Sequence, residues 1–482
     1  MSGAGIARSN AVLQEQRDSF LREGAPSAER RKDRLQRAIR MLLAYQDRIV
    51  AAVSEDFGAR SAMTTRAAEI LPSVGALRYA IAALDEWMRP EKRTLVPGTT
   101  GPGAWAEVRC QPLGVVGVIS PWNAPFLLSV RPLAGILAAG NRCMIKPSEL
   151  TPASADLLAL MVREFFDESE LAVLTGGQDV GEAFSALPFD HLMFTGSTAV
   201  AKKVMKMAAE NLVPLTLELG GKSPVIVSRT CDIGQAALRI VHGKLLNAGQ
   251  VCISPDYVLV ETSRAPEFIA ACLDAAAALY PDIESDDEYT SMISTRHYRR
   301  ALDLIADATR KGARVAGTGE LPSMAVTGAR RKIPLHVLTG VTDDMTVMTE
   351  EIFAPILPVM TYDDIREAVA YVNARPRPLA TYYFGEDPDE MELVIDRTWS
   401  GTMAINDVVV QGSREELPYG GIGPSGMGCY KGRDGFRNFS HVKPVFHQTP
   451  VEDALRPMRP PYTEDVVARV CSLLSAAGNR AD

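Results

Sequence analysis

The sequence predicts an α/β protein built on parallel sheets in two domains. Three observations carry this expectation. Short apolar runs alternate with helical stretches from Val115 onward. The alternation stops at the Glu218–Gly221 segment and then resumes. The chain has 482 residues, too many for one ordinary domain.

In chain order, Ser27 to Gly58 reads as helix, with Leu35, Ile39, Leu42, Leu43 and Ile49 near one face and Gly58 able to end it. A second helical stretch, Arg66 to Met88, leads into a Pro/Gly-rich connector from Pro97 to Gly103. Nothing up to this point looks chemical. Strand-like runs then follow: VVGVI at 115–119, MI after Arg142-Cys143, LAVL at 171–174, HLMF at 191–194 and PLTLEL at 214–219. Helical candidates separate them at Arg131 to Ala139, Ala153 to Phe166 and Thr198 to Glu210. The second set comprises PVIVS after Ser223, helix Ile233 to Asn247, YVLVE at 257–261 and helix Pro266 to Leu279. It continues with ILPVM at 356–360, helix Ile365 to Asn373, ATYYF at 380–384 and helix Pro388 to Asp396. A Pro-rich tail (Arg456 to Pro461) ends in an amphipathic stretch, Val466 to Leu474, expected to pack on something.

Composition excludes several classes. At 46% hydrophobic and 23% charged residues the chain is globular, neither disordered nor collagenous. Fifty-one basic against 59 acidic residues give a net charge of −8, which argues against a nucleic-acid-coating surface. The seven cysteines are scattered without a C-x-x-C pair, and the six histidines lack ligand spacing, so no disulfide framework and no metal site is expected. The N-terminal stretch has no apolar core like that of a signal peptide, and the longest uncharged run, Val115 to Val130, carries Pro121 and Pro125. A soluble, cytoplasmic protein is expected.

Two phosphate-loop lookalikes fail on context. Gly421 to Gly426 matches G-x-G-x-x-G, but no strand precedes it and Pro424 interrupts it. Gly221-Lys222-Ser223 resembles the end of a P-loop, yet Thr216 replaces the first glycine and Pro224 blocks a continuing helix. Gly196 and Ser197, by contrast, follow a strand and open a helix, so they are either an anion site or a plain helix cap. Cys252 lies on a loop after Gly249 and is either a nucleophile or a small buried hydrophobe. Glu218, an acid in an apolar strand, is either an edge carboxylate or a desolvated base. Asn123 beside Trp122 is a turn residue or an amide donor. Lys146 and Glu149 make a surface ion pair or a ligand site at a strand's carboxyl end. Glu351, two residues before Phe353, is equally ambiguous by itself.

Seven segments in order remove the ambiguity: PWNAP from Pro121, KPSE from Lys146, FTGST from Phe194, LELGGKSP from Leu217, GQVC from Gly249, EEIFAP from Glu350 and PYGGIGPSG from Pro418. Together they resemble the aldehyde dehydrogenase superfamily over about Val115 to Phe446. KLLNAGQVC and the ending from Phe436 to Val445 are similar to the class 3 branch. LPFDHLMFTGSTAV and PYGGIGPSGMGCYKGRDGF most resemble bacterial coniferyl aldehyde dehydrogenases.

The resemblance implies a Rossmann-like cofactor domain (residues 1–103 and 115–217) and an α/β catalytic domain (218–427). It also implies a small hairpin arm for oligomerisation (104–114, with 441–450), ahead of a tail at 451–482. The chemistry implied is oxidation of an apolar, aromatic or cinnamyl-type aldehyde to its acid with NAD, NADP being possible. Cys252 would attack the carbonyl, Asn123 and the Cys252 backbone N–H would hold the oxyanion, and Glu218 would deprotonate water. Lys146 and Glu149 would bind the adenosine ribose and Gly196 and Ser197 the pyrophosphate. Glu351 would bind the nicotinamide ribose, with Phe353 and Trp122 beside the ring. A homodimer is implied. The alternatives are a medium-chain aliphatic aldehyde dehydrogenase and a catalytically silent dinucleotide-binding relative. One departure stands out: many class 3 relatives have tyrosine after the asparagine, where this chain has Ala124, so a wider pocket is expected.

Overall fold

The computed structural model describes residues 3–96, 100–283, 285–319 and 331–478. Residues 97–99 of the connector and the last four of the tail lie outside the described residues. Strands β1 (Glu91–Arg93) and β2 (Trp105–Pro112) come first. Then follow β3 (Val115–Ile119), β4 (Arg142–Lys146), β5 (Leu171–Val173), β6 (His191–Thr195) and β7 (Leu215–Glu218). After them run β8 (Pro224–Val227), β9 (Tyr257–Glu261), β10 (Arg314–Gly317), β11 (His336–Thr339), β12 (Ile356–Tyr362), β13 (Ala380–Phe384) and β14 (Thr402–Ile405). The chain closes with β15 (Gly426–Met427) and β16 (Ser440–His447).

The first sheet has six strands in the order β15-β7-β6-β3-β4-β5, parallel except for β15. The chain winds from β3 outward through β4 and β5, then returns to the other side of β3 with β6 and β7. That reversal beside β3 is the topological switch of a doubly wound, Rossmann-like half, where ligands bind at the carboxyl ends of the strands. The second sheet runs β10-β11-β12-β9-β8-β13-β14, again parallel apart from β10. Its central strands are buried on both faces, which is why they read as unbroken apolar runs rather than as alternating patterns. The chain passes from one sheet to the other between Glu218 and Pro224.

Most expected elements are present, and YVLVE and ATYYF match β9 and β13 residue for residue. Ser27 caps its helix, and Gly58 ends the following one in the left-handed region at φ 82°. Between them, however, the expected single helix is two, Ala28–Ala44 and Gln46–Phe57, separated at Tyr45. Leu35, Leu42 and Ile49 are buried as expected, while Leu43 faces outward.

The second stretch contains a π turn, Arg66–Ile70, ahead of Leu71–Trp87. Residues Ala62–Trp87 are long and apolar enough to cross a membrane by length and composition. Here Val74, Leu77, Ala80 and Leu84 are buried in the same core cluster as Leu35, Ala38 and Leu42, so the helix serves as a core element.

The two segments expected as an arm, 104–114 with 441–450, fall on paired strands: β2 meets β16 along all eight of its residues and β1 on its other side. A polar, exposed strand finds its partners far away in sequence, which local pattern does not reveal. The tail differs. Helix Glu464–Gly478 forms, but Val467, Val470, Leu473 and Leu474 stay exposed rather than packed. Helices Gly3–Glu23 and Thr295–Arg310 were not anticipated.

Candidate active site

The loop after helix Ile233–Leu245 carries the thiol. Asn247 and Ala248 sit at φ 52° and Gly249 at φ 74°, a run of left-handed backbone that L residues adopt only at a cost. The turn is held open by side chains. Asn247 Nδ2 donates to the Asn123 and Gln250 carbonyls at 3.0 and 3.1 Å, and Gln250 Nε2 donates back to Asn247 O at 2.9 Å. Gln250 Oε1 accepts from Ile293 N at 3.0 Å. Gly249 has no room for a side chain, since a Cβ would lie 2.6 Å from the Ala354 carbonyl oxygen. The GQVC and EEIFAP segments therefore interlock through bare backbone.

This turn points Cys252 at Glu218, with Sγ 3.6 Å from Glu218 Oε1. Glu218 ends β7 and is buried. It is not on an edge strand, because β15 pairs across it with Gly426 opposite Glu218. The glycine-rich loop dismissed as a phosphate site thus works as a brace, with Ser425 O accepting from Leu219 N at 3.0 Å. Burial raises the Glu218 pKa, while the Tyr430 hydroxyl, the Cys252 thiol, Lys431 and Arg131 act against that rise. Among the described residues its Oε2 has no hydrogen-bond partner. An orphaned, desolvated carboxylate oxygen is suited to take a proton. Burial, and next the Glu218 charge, push the Cys252 thiol well above its ordinary value. Burial thus pushes both groups toward their neutral forms, with the Cys252 thiol donating to Glu218 Oε1.

Asn123 follows β3 and is buried, donating from Nδ2 to Gln250 O at 3.1 Å. That bond uses one N–H and leaves the other for a ligand. A buried ion pair supports the loop from behind: Arg60 Nη1 lies 2.7 Å from Glu69 Oε1 and 3.3 Å from Asn123 O. Glu69, on the π turn, also accepts from Phe126 N at 2.8 Å and Leu127 N at 3.3 Å. Burial works against both charges, so each depends on the other. Glu69→Ala is expected to lower unfolding free energy by about 3–5 kcal/mol, because it strands a buried guanidinium and two backbone donors. A urea midpoint unchanged from the parent protein would rule out this bracing role.

Cys252, Glu218 and Asn123 open onto one cavity of about 640 Å³, also lined by Ala124, Leu127, Leu246, Val251, Val408 and Tyr419. Apolar walls with a thiol, a carboxyl and an amide at one place suit an apolar carbonyl compound.

A second group of residues gathers at the carboxyl ends of the first sheet. Lys146, ending β4, is buried and donates to Glu149 Oε2 at 3.1 Å, while Glu149 is about half exposed. Gly196 follows β6 and donates to the Glu218 carbonyl at 3.1 Å. Ser197 caps helix Thr198–Ala209 by accepting from Val200 N at 3.4 Å, so the plain cap is real, at an exposed helix N-terminus. Glu351 turns its carboxyl onto Gly220, where any Cβ would collide with it. Burial, and then Asp256, push Glu351 up to about 8. Phe353 stands edge-on to Trp122 with ring centroids 5.5 Å apart.

A model of the aldehyde dehydrogenase family matches residues 5–445. The chain belongs to that family. A probable coniferyl aldehyde dehydrogenase of Caulobacter vibrioides is 50% identical over 467 residues, covering 96% of each chain. The substrate-bound state of Staphylococcus aureus AldH superposes with a TM-score of 0.90 at 34% identity, over 96% of this chain and 99% of that one. Mycobacterium tuberculosis aldehyde dehydrogenase, solved in complex with NAD+, gives a TM-score of 0.82 at 29% identity over 92% and 91%. This chain is thus an oxidoreductase of the aldehyde dehydrogenase fold.

Several residues of this aldehyde dehydrogenase site escaped the sequence reading. Arg60 and Glu69 lie in the stretch judged free of chemistry, although an acid on an apolar helix was a usable signal. Tyr419, Tyr430 and Lys431 lie within quoted segments but were given no part. Lys222 is neither P-loop nor ligand: it pairs with Asp256 and donates to Val347 O at 2.7 Å, tying the two segments together.

Proposed function

We propose that this aldehyde dehydrogenase oxidises a ring-bearing, cinnamyl-type aldehyde of the coniferyl aldehyde kind to the carboxylic acid with NAD. The observation that carries the reading is the thiol–carboxyl contact of 3.6 Å opening onto an apolar cavity whose wall is Ala124. The name of the Caulobacter vibrioides relative supports the substrate class.

In this reading Glu218 takes the Cys252 proton, and the sulfur adds to the carbonyl carbon to form a thiohemiacetal. The free N–H of Asn123 and the Cys252 backbone N–H hold the oxygen as it gains charge. Loss of hydride from that carbon leaves a thioester. After giving the thiol's proton up to solvent, Glu218 accepts a proton from water, whose oxygen attacks the thioester; the acid leaves, and the departing sulfur takes its proton back from Glu218. The bound dinucleotide supplies the hydride acceptor.

The residues at the sheet's carboxyl ends fit a dinucleotide. Lys146 and Glu149 would take the adenosine ribose. The backbone at Gly196 and Ser197, at a helix N-terminus, would face the pyrophosphate. Glu351, placed by the missing Cβ of Gly220, would take the nicotinamide ribose, with Trp122 and Phe353 beside the ring. The Mycobacterium tuberculosis neighbour's bound NAD+ supports this choice of cofactor. Because Glu149 places a carboxylate where a 2′-phosphate would sit, NAD is preferred over NADP. Glu149→Gln should raise the NADP/NAD ratio of kcat/KM roughly tenfold, the equivalent of about 1.4 kcal/mol. An unchanged ratio removes Glu149 from the ribose.

The three-stranded sheet of β1, β2 and β16 is assigned as the arm of a homodimer, on the strength of its exposed Trp105, Val442 and Phe446. A cytoplasmic setting agrees with seven unpaired cysteines.

Pocket width sets the substrate. Ala124 lines the cavity next to Asn123, so a bulky ring enters while a thin chain is held loosely. Ala124→Tyr should lower the ratio of kcat/KM for a substituted cinnamaldehyde to that for hexanal, by about tenfold or more. A flat or rising ratio would remove Ala124 as the width determinant. NADH formation across aromatic, cinnamyl and aliphatic aldehydes tests the whole reading. Turnover confined to short aliphatic aldehydes would refute the substrate class.

A further inference from the structure

The Cys252 sulfur has a second polar neighbour besides Glu218. The Tyr419 hydroxyl lies 3.8 Å from Sγ, on the wall of the same cavity. Tyr419 is buried and held from three sides. Its carbonyl accepts from Tyr430 N at 3.2 Å, its ring meets the edge of the Tyr430 ring at 5.8 Å, and the Lys431 ammonium stands 4.4 Å from its centroid. Lys431 is itself fixed, donating to Gly412 O at 2.5 Å.

The charges around the sulfur create the need for such a donor. Glu218 and Glu351 both oppose a thiolate electrostatically. Tyr382 gives its hydroxyl to the Ile253 carbonyl at 2.5 Å and the Tyr430 hydroxyl turns to Glu218, so neither has a proton to offer. Among the described residues, Tyr419 is therefore the one hydroxyl in contact with the sulfur that can donate to it. Burial lowers the Lys431 pKa to about 7; in its charged form the amine draws electron density from the phenol ring and strengthens the O–H as a donor.

We propose that Tyr419 is a further catalytic residue, whose phenol donates a hydrogen bond to the Cys252 sulfur as the thiolate forms. The thiol proton goes to Glu218 Oε1, and Tyr419 keeps its own. Burial, which pushes the Tyr419 phenol far up, ensures that it stays a donor throughout the working pH range. The same bond relaxes when the sulfur becomes neutral in the thioester, so the stabilisation is spent on the nucleophile and on thiolate departure.

This inference rests on reading Cys252 as the nucleophile, and its test does not depend on dehydrogenase turnover. Cys252 alkylation by iodoacetamide is followed against pH, without aldehyde or dinucleotide, by mass spectrometry of the Cys252 peptide. Tyr419→Phe keeps the ring, the Lys431 contact and the Tyr430 contact, and removes only the hydroxyl. Its alkylation midpoint should rise by about one pH unit, the usual scale of a lost hydrogen bond to a charged group. At pH below both midpoints the alkylation rate should then fall about tenfold. Replacing Tyr419 by 3-fluorotyrosine, a stronger donor of nearly the same shape, should move the midpoint down. A ring needed only for packing would leave both midpoints where the parent protein has them, and that result overturns the proposal. If the midpoints move as expected while no aldehyde is oxidised, the hydrogen bond stands and the proposed reaction fails.

Discussion

Cys252→Ala is expected to reduce aldehyde oxidation by about 10⁴-fold or more while leaving dinucleotide affinity within about twofold of the parent protein. The asymmetry follows from position. Sγ touches Glu218 and Tyr419 inside the apolar cavity, whereas Lys146, Gly196, Ser197 and Glu351 lie along the first sheet's carboxyl ends and its crossing to the second. Alanine also leaves the loop intact, because Asn247, Gln250 and Gly249 shape it through contacts that do not use the sulfur. Calorimetric titration with NAD and single-turnover NADH formation measure the two halves separately. Residual oxidation at a tenth of the parent rate would end the assignment of Cys252 as nucleophile. Loss of NAD binding together with activity would instead mean that the thiol loop shapes the cofactor site.

How much of this was legible in the sequence depends on the range of the interactions involved. The parallel strands could be read because burial on both faces turns them into apolar runs bounded by Gly and Pro, as in β9 and β13. Cys252, Glu218 and Asn123 could each be flagged from local context, but not joined. They stand 34 residues apart in one case and well over a hundred in another, and only the crossing between the two sheets brings them to one cavity. The order of seven segments supplied that juncture through resemblance rather than through physics.

What stayed hidden were groups whose role depends on distant partners. Arg60 and Glu69 lie in the stretch where nothing looks chemical, and only the Asn123 loop laid over them gives them a part. Leu43 faces outward for a nearer reason: it stands about 100° around the same helix from the buried Leu42, off the face that Leu35 and Leu42 share.

Glu218→Gln should separate chemistry from stability, moving them in opposite directions. Gln cannot accept the proton of the attacking water, so thioester hydrolysis should slow by about a hundredfold or more. The first half-reaction is less affected. Removing the carboxylate also removes a negative charge that raises the Cys252 pKa, which partly offsets losing the nearest proton acceptor. A pre-steady-state burst of NADH should therefore persist above a much slower steady rate. The stability change follows from the direction of the Glu218 shift. Burial raises its folded-state pKa above the unfolded value, so the native protein holds this proton to higher pH than the unfolded chain does. Wild-type stability from this group is accordingly lost as the pH rises from the unfolded carboxyl value through the folded one. Above that window the native state carries a charge whose Oε2 has no partner among the described residues. Gln carries no charge to bury, so the variant should melt about 1–3 °C higher than the parent at pH 8, with the gain vanishing at pH 4. Such a gain would identify the orphaned carboxylate as a stability cost retained for its work on water. A burst that disappears in a folded variant would make Glu218 essential to the first step. A melting temperature that falls at pH 8 would show that the carboxylate is held by partners stronger than burial.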